Sequence, residues 1–141
     1  MHAAWNALLE EFVTRWNAHD ADQLVALFAD DATFTDVVGQ TGSGRAGIAA
    51  QHQYPFTHVQ RRATFTPNQT HWHPVTEDVA VGTVYWTTTG SETPAGESLP
   101  PCNGVMQLVV RQQHGHWHIV SALNADLLRG PYAPQATPTF L

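Results

Sequence analysis

Three side chains spread through the sequence have the chemistry to share a proton transfer: Asp36, His52 and Asn124. Asp36 lies two residues after Phe34 and two before Val38. Alternation along a strand would put Ala32, Phe34, Asp36 and Val38 on one face. If that face turns inward, Asp36 projects into an apolar hollow. A carboxylate there suits general-base removal of a proton next to a carbonyl. The competing reading is a strand-end carboxylate that caps the glycine-rich turn or faces water. His52 is four residues from both Ile48 and Phe56 and shares their helical face. There it can orient Asp36, act as an acid or bond a substrate, or else sit in the core bonded to a backbone carbonyl. On the last strand, alternation groups Asn124 with His116, His118, Val120, Ala122 and Asp126. The Asn124 amide can donate to a developing oxyanion, or pair with loop backbone.

Other side chains offer walls rather than chemistry. Trp16, Phe34, Phe56 and Trp86 are expected to pack in the core or against a bound molecule, with His118 beside Asn124. Tyr85 and Trp86 point to opposite faces, so one of them at most lines a hollow. The pairs His71-x-His73 and His116-x-His118 place two imidazoles on one strand face, a spacing that could hold an ion with a carboxylate. The same pairs could face solvent, and we expect no metal and no cofactor. Cys102 follows two prolines and has no His or Asp partner in sequence, which argues against a nucleophile.

The elements that must position these groups follow from periodicity. Trp5, Leu8, Leu9, Phe12, Val13 and Trp16 recur at helical spacing and predict a helix over residues 3–18. Asp20 is a plausible N-cap for a second helix, with Leu24, Val25, Leu27 and Phe28 as its buried stripe. Residues 32–38 read as a strand, and Gly39, Gly42 and Gly44 as a turn or short hairpin. A third helix is expected from Arg45 to about Val59, with Pro55 able to kink or break it. Four strands are expected at about 62–73, 78–89, 103–113 and 116–127; VAVGTVYWTTT is rich in β-branched and aromatic residues. Three helices on one face of a curved, mostly antiparallel sheet make an α+β fold with a conical hollow for a small molecule. One domain over residues 1–141 is expected, with an irregular tail over about 129–141 that carries three prolines.

Composition removes several alternatives. Charged residues are 13% of the chain, the formal net charge is -6, and only 6 side chains are basic, which argues against nucleic acid and anionic membranes as partners. No apolar run approaches the length of a membrane span. The start MHAAWNALLEEF does not read as a signal peptide, and the single cysteine excludes an internal disulfide and fits a reducing cytoplasm.

The stretch WNAHDADQLVALFADDATFTDVVG, followed by GRAGIAAQH, resembles the opening of an NTF2-like, SnoaL-like domain. HGHWHIVSALNAD resembles the group's final strand, so the resemblance runs from about residue 3 to about residue 128. Within that superfamily the chain is similar to ketosteroid isomerases, SnoaL-type polyketide cyclases and the SgcJ/EcaC group. The last is nearer at Gly44, Arg45, Ile48, His52 and Asn124. The resemblance places Asp36 at the isomerases' general base, Phe12 where they carry an oxyanion-hole tyrosine, and Gln107 near their protonated aspartate. It thus keeps the base and replaces both usual oxyanion donors. It implies a cofactor-independent enzyme that isomerises or cyclises an apolar, carbonyl-bearing molecule of polyketide or terpenoid type, and a homodimer paired through the outer sheet face. A hydrolase or dehydratase using an Asp36–His52 pair is one alternative. A binding or accessory protein that transforms nothing is another, because this fold hosts many functions.

Overall fold

The computed structural model describes residues 2–127; the expected tail over about 129–141 lies outside them. Helix α1 spans His2–Asn17 and buries Trp5, Leu8, Leu9, Phe12 and Trp16 along one stripe. It ends at Asn17, two residues before His19, which takes a left-handed φ of 56°. Helix α2, Ala21–Val25, begins where Asp20 Oδ1 accepts the Gln23 backbone N–H at 3.1 Å. It is five residues long, so Leu27 and Phe28 do not extend its stripe. They lead into strand β1, Phe28–Thr35, which starts four residues before the expected strand and ends three residues earlier. A short return strand β2, Thr41–Ser43, pairs antiparallel with β1, and helix α3 follows over Gly44–Thr57, ending two residues after Pro55.

Strands β3 (Thr64–Pro74), β4 (Val79–Thr89), β5 (Cys102–Gln113) and β6 (His116–Asp126) form an antiparallel meander. The sheet order is β2-β1-β6-β5-β4-β3, with β6 parallel to β1 and every other neighbour antiparallel. This is the expected α+β arrangement, three helices covering one face of a curved six-stranded sheet. Its core lies between them, around Leu24, Phe28, Ile48, Met106, Leu108 and Ile119.

One irregularity decides which side chains of β6 reach the covered face. Val109 pairs with Ser121 but Val110 pairs with Ile119, so Val120 is an extra residue, a β-bulge. Below the bulge Trp117 and Ile119 face the core. Above it the inward set is Ala122, Asn124 and Asp126. No helix among the described residues is long and apolar enough to cross a membrane.

Candidate active site

A cavity of about 550 Å³ opens at the end of the sheet where β1 and β4 finish and β5 begins. Trp16, Phe34, Phe65 and Trp86 make its apolar wall, and Asp36, His52 and Asn124 lie on that wall too. The loop from Gly90 to Pro101 brings Leu99 to the mouth and Glu92 to the side, where Arg61 Nε meets Glu92 Oε1 at 3.3 Å. Three carboxylates face the cavity, from Asp36, Glu92 and Asp126, and none of its described lining residues is Lys or Arg. Loss of solvent around Asp126 pushes its carboxyl above the usual carboxylate value.

His52 enters from α3 and is buried. Its Nδ1 lies 2.8 Å from the Ile48 carbonyl. A carbonyl only accepts, so Nδ1 carries the proton and Nε2 keeps its lone pair. Phe34 packs edge-on against the ring, with centroids 4.7 Å apart. Burial pushes the imidazole below its ordinary value. The bond to Ile48 and the negative charge of Asp36 pull it part of the way back.

Asp36 is not on the strand. Strand β1 ends at Thr35, and Asp36 opens the turn to β2, with its backbone N–H bonded to the Gln40 carbonyl at 2.9 Å. Its Oδ1 accepts the backbone N–H groups of Val38 at 3.1 Å and Gln40 at 2.9 Å; its Oδ2 accepts from Gln51 Nε2 at 3.2 Å. The side chain therefore does both things the sequence left open. It caps the turn, and it faces the cavity half-buried rather than enclosed in an apolar wall.

Asn124 is oriented by Trp86. The indole Nε1 donates to Asn124 Oδ1 at 2.7 Å. Indole nitrogen is only a donor, so the amide oxygen must face it and the amide NH₂ must face away. Trp86 reaches this position because its pairing partner on β5 is Gly104. A Cβ there would overlap the indole ring.

Four expected contact residues do not line the cavity. Phe12 is 1% exposed and sits behind the wall against Phe28 and Phe65, held there by the apolar stripe of α1. Phe56 packs on Trp16, His19 and His52. Gln107 is exposed on the outer sheet face, because Gly104, Met106, Leu108 and Val110 take the inner positions of β5. His118 falls below the β6 bulge, where alternation gives the inner face to Trp117 and Ile119. Trp16, Phe34 and Trp86 do line it, and Tyr85 points the other way from Trp86. His71, His73 and His116 are exposed. Among the described residues no three His, Cys, Asp or Glu side chains converge on a common point. Gln51, on no expected list, lies on the cavity wall beside His52. A second, shallower recess of about 640 Å³ at the opposite end is bounded by His2, Trp5 and the surface turn Thr76–Asp78.

A curved sheet with helices over one face and an apolar hollow between them is an architecture found in solved proteins. A Caulobacter vibrioides protein of cystatin-like fold superposes with a TM-score of 0.83 at 20% identity, covering 90% of this chain and 89% of that one. A type 2 hexachlorocyclohexane dehydrochlorinase, LinA, gives 0.82 at 15% identity over 98% of this chain and 93% of its own. A ketosteroid isomerase-like protein from Erwinia carotovora atroseptica gives 0.74 at 17% identity, over 90% and 96%. The family follows from sequence: the SnoaL-like domain model matches residues 9–117, and the chain belongs to that family.

Proposed function

We propose that the protein is a cofactor-independent enzyme that moves a proton on an apolar, uncharged, carbonyl-bearing small molecule. One observation carries the reading: a neutral buried imidazole on α3 and an amide donor locked in orientation on β6 share one apolar cavity. His52 Nε2 accepts no hydrogen bond from the described residues, whereas both oxygens of Asp36 already accept them. In the proposed step Nε2 takes a proton from the carbon next to the carbonyl. The C–H pair becomes the enolate double bond, and the carbonyl π pair moves to oxygen. The Asn124 NH₂ donates to that oxygen. Asp36 faces the imidazolium that forms and offsets its charge. Return of the proton to another carbon completes an isomerisation; attack of the enolate carbon on a second carbonyl, whose π pair moves to its oxygen and takes the proton back from Nε2, completes a cyclisation. Asp36 and Asp126 face the cavity with no Lys or Arg among its described lining residues, which favours an uncharged substrate over a carboxylated or phosphorylated one. The isomerase-like and dehydrochlorinase folds among the solved structures are compatible with proton abstraction in such a hollow.

The test is exchange of solvent deuterium into a β,γ-unsaturated cyclic ketone or an apolar 1,3-diketone, followed by NMR. His52→Gln should lower the exchange rate by about 10²–10⁴-fold, while Asp36→Asn should leave a measurable part of it. Exchange that survives His52→Gln and vanishes in Asp36→Asn would make Asp36 the base. Ketone binding without exchange in the wild-type protein would support the carrier reading instead.

A further inference from the structure

The mechanism above leaves unused a half-buried side chain on the cavity wall, Gln51. Gln51 precedes His52 on α3 and reaches across to the β1–β2 hairpin. Its Nε2 lies 3.1 Å from the Phe34 carbonyl, 3.0 Å from the Gln40 carbonyl and 3.2 Å from Asp36 Oδ2. All three neighbours are acceptors, so the amide has one possible orientation, with NH₂ toward the hairpin. That orientation leaves Oε1 buried without a partner. The oxygen is pressed against Gly42, where a Cβ would stand 2.6 Å from it. A buried acceptor without a donor is rare and calls for an explanation. The three contacts supply one, because they span the strand end before Asp36, the carboxylate itself and the residue that closes its turn.

We propose that Gln51 is a positioning residue: it ties the Asp36 carboxylate to α3, one residue from His52, and so fixes the charge that the imidazolium will face. The inference rests on the reading of Asp36 as the electrostatic partner of His52. The backbone donors of Val38 and Gln40 hold Oδ1 within its own hairpin. Among the described residues only Gln51 holds Oδ2 and joins the hairpin's carboxylate to the helix that carries His52. The other titratable groups among the described residues of the cavity wall are Tyr54, Glu92, Cys102 and Asp126, and the negative charge of Asp36 raises the His52 imidazole.

The experiment reads His52 directly and needs no substrate. The ring resonances of His52 are titrated by NMR in the wild-type protein, Gln51→Leu, Asp36→Asn and the double variant. Gln51→Leu should move the His52 midpoint downward, in the same direction as Asp36→Asn. In the Asp36→Asn background it should produce no further shift, because its action runs through that carboxylate. An unchanged midpoint in Gln51→Leu, or an equal shift with and without Asp36, overturns the proposal. Should Gln51→Leu fail to fold, Gln51→Met keeps the length of the side chain and is held to the same outcomes. Because turnover is not involved, the positioning role can fail while the proton-transfer reading stands, and the reverse.

Discussion

Trp86 and Trp72 occupy matching places at opposite ends of the sheet. Each lies over a glycine on the neighbouring strand, Gly104 and Gly82 respectively, where a Cβ would run into the ring. Each donates its indole N–H to an asparagine oxygen, Asn124 at 2.7 Å and Asn6 at 2.8 Å. The surroundings differ. Trp72 packs on Trp5, with ring centroids 5.6 Å apart, and Asn6 is exposed on α1; neither Trp72 nor Asn6 lines the recess at that end. Trp86 packs on Phe65 at 5.5 Å, and both it and Asn124 line the main cavity. The same local unit turns one amide toward water and the other toward a place where a substrate can sit. The chemistry resides in what the unit faces, not in the unit.

Breaking the two glycines should separate the ends most strongly. Gly104→Ala and Gly82→Ala each overfill a packed wall and should each cost about 1–3 kcal/mol in denaturant unfolding. Only Gly104→Ala, which displaces Trp86 and frees Asn124 to rotate, should also depress deuterium exchange beyond what its folded fraction explains. A cleaner contrast comes from the amides. Asn124→Asp keeps an acceptor for the indole and deletes the donor facing the cavity, so exchange should fall by about 10²–10³-fold. Asn6→Asp keeps the same indole bond on an exposed position and should leave exchange intact, with stability within about 0.5 kcal/mol. Equal effects of the two substitutions on exchange would end the distinction between the ends.

The smallest effect is on pH dependence. Burial lowers His52 below its ordinary value of 6.5, so the imidazole is unprotonated at neutral pH, and with His52 as the proposed base kcat/KM should be flat above 6.5 and fall on the acid side. The linked stability has the same sign. An unfolded imidazole takes up its proton first as pH drops, so this contribution is complete above 6.5 and is lost as pH falls through the lower folded value. Asp36→Asn removes an influence that raises His52, so the acid limb should move to lower pH.

Much of this was legible in the chain, and the failures have physical causes. Strands β3–β6 fall within two residues of their expected bounds, because β-branched runs and turn signals agree there. The Asp20 cap was readable from its type and place. Strand β1 was misplaced because Leu24, Val25, Leu27 and Phe28 read equally as one helical stripe or as a five-residue helix followed by a strand. Counting in twos puts His118 beside Asn124, and the count fails across the bulge at Val120. Gln107 was matched by position across a turn, a matching that alternation on β5 contradicts. Gln51 carries no signal, because its partners, two backbone carbonyls and the Asp36 carboxylate, belong to a hairpin that becomes its neighbour only in the fold. Gly104 did carry one: a lone glycine in a strand signals close approach of another group, here the ring of Trp86.

The parallel seam between β1 and β6 has a consequence for the birth of the protein. Phe34 pairs with Ala122, and β6 is the last strand of the sheet in chain order. On the ribosome β1 emerges early and for a long interval has only the three-residue β2 beside it. Until residues 116–126 have cleared the exit tunnel, the edge of β1 that β6 will cover stays open to other nascent chains. Asn124 arrives with that same strand, so its part of the cavity wall is added after β1, α3 and β3–β5 have been made. A nascent chain that has not yet reached β6 carries His52 but not Asn124.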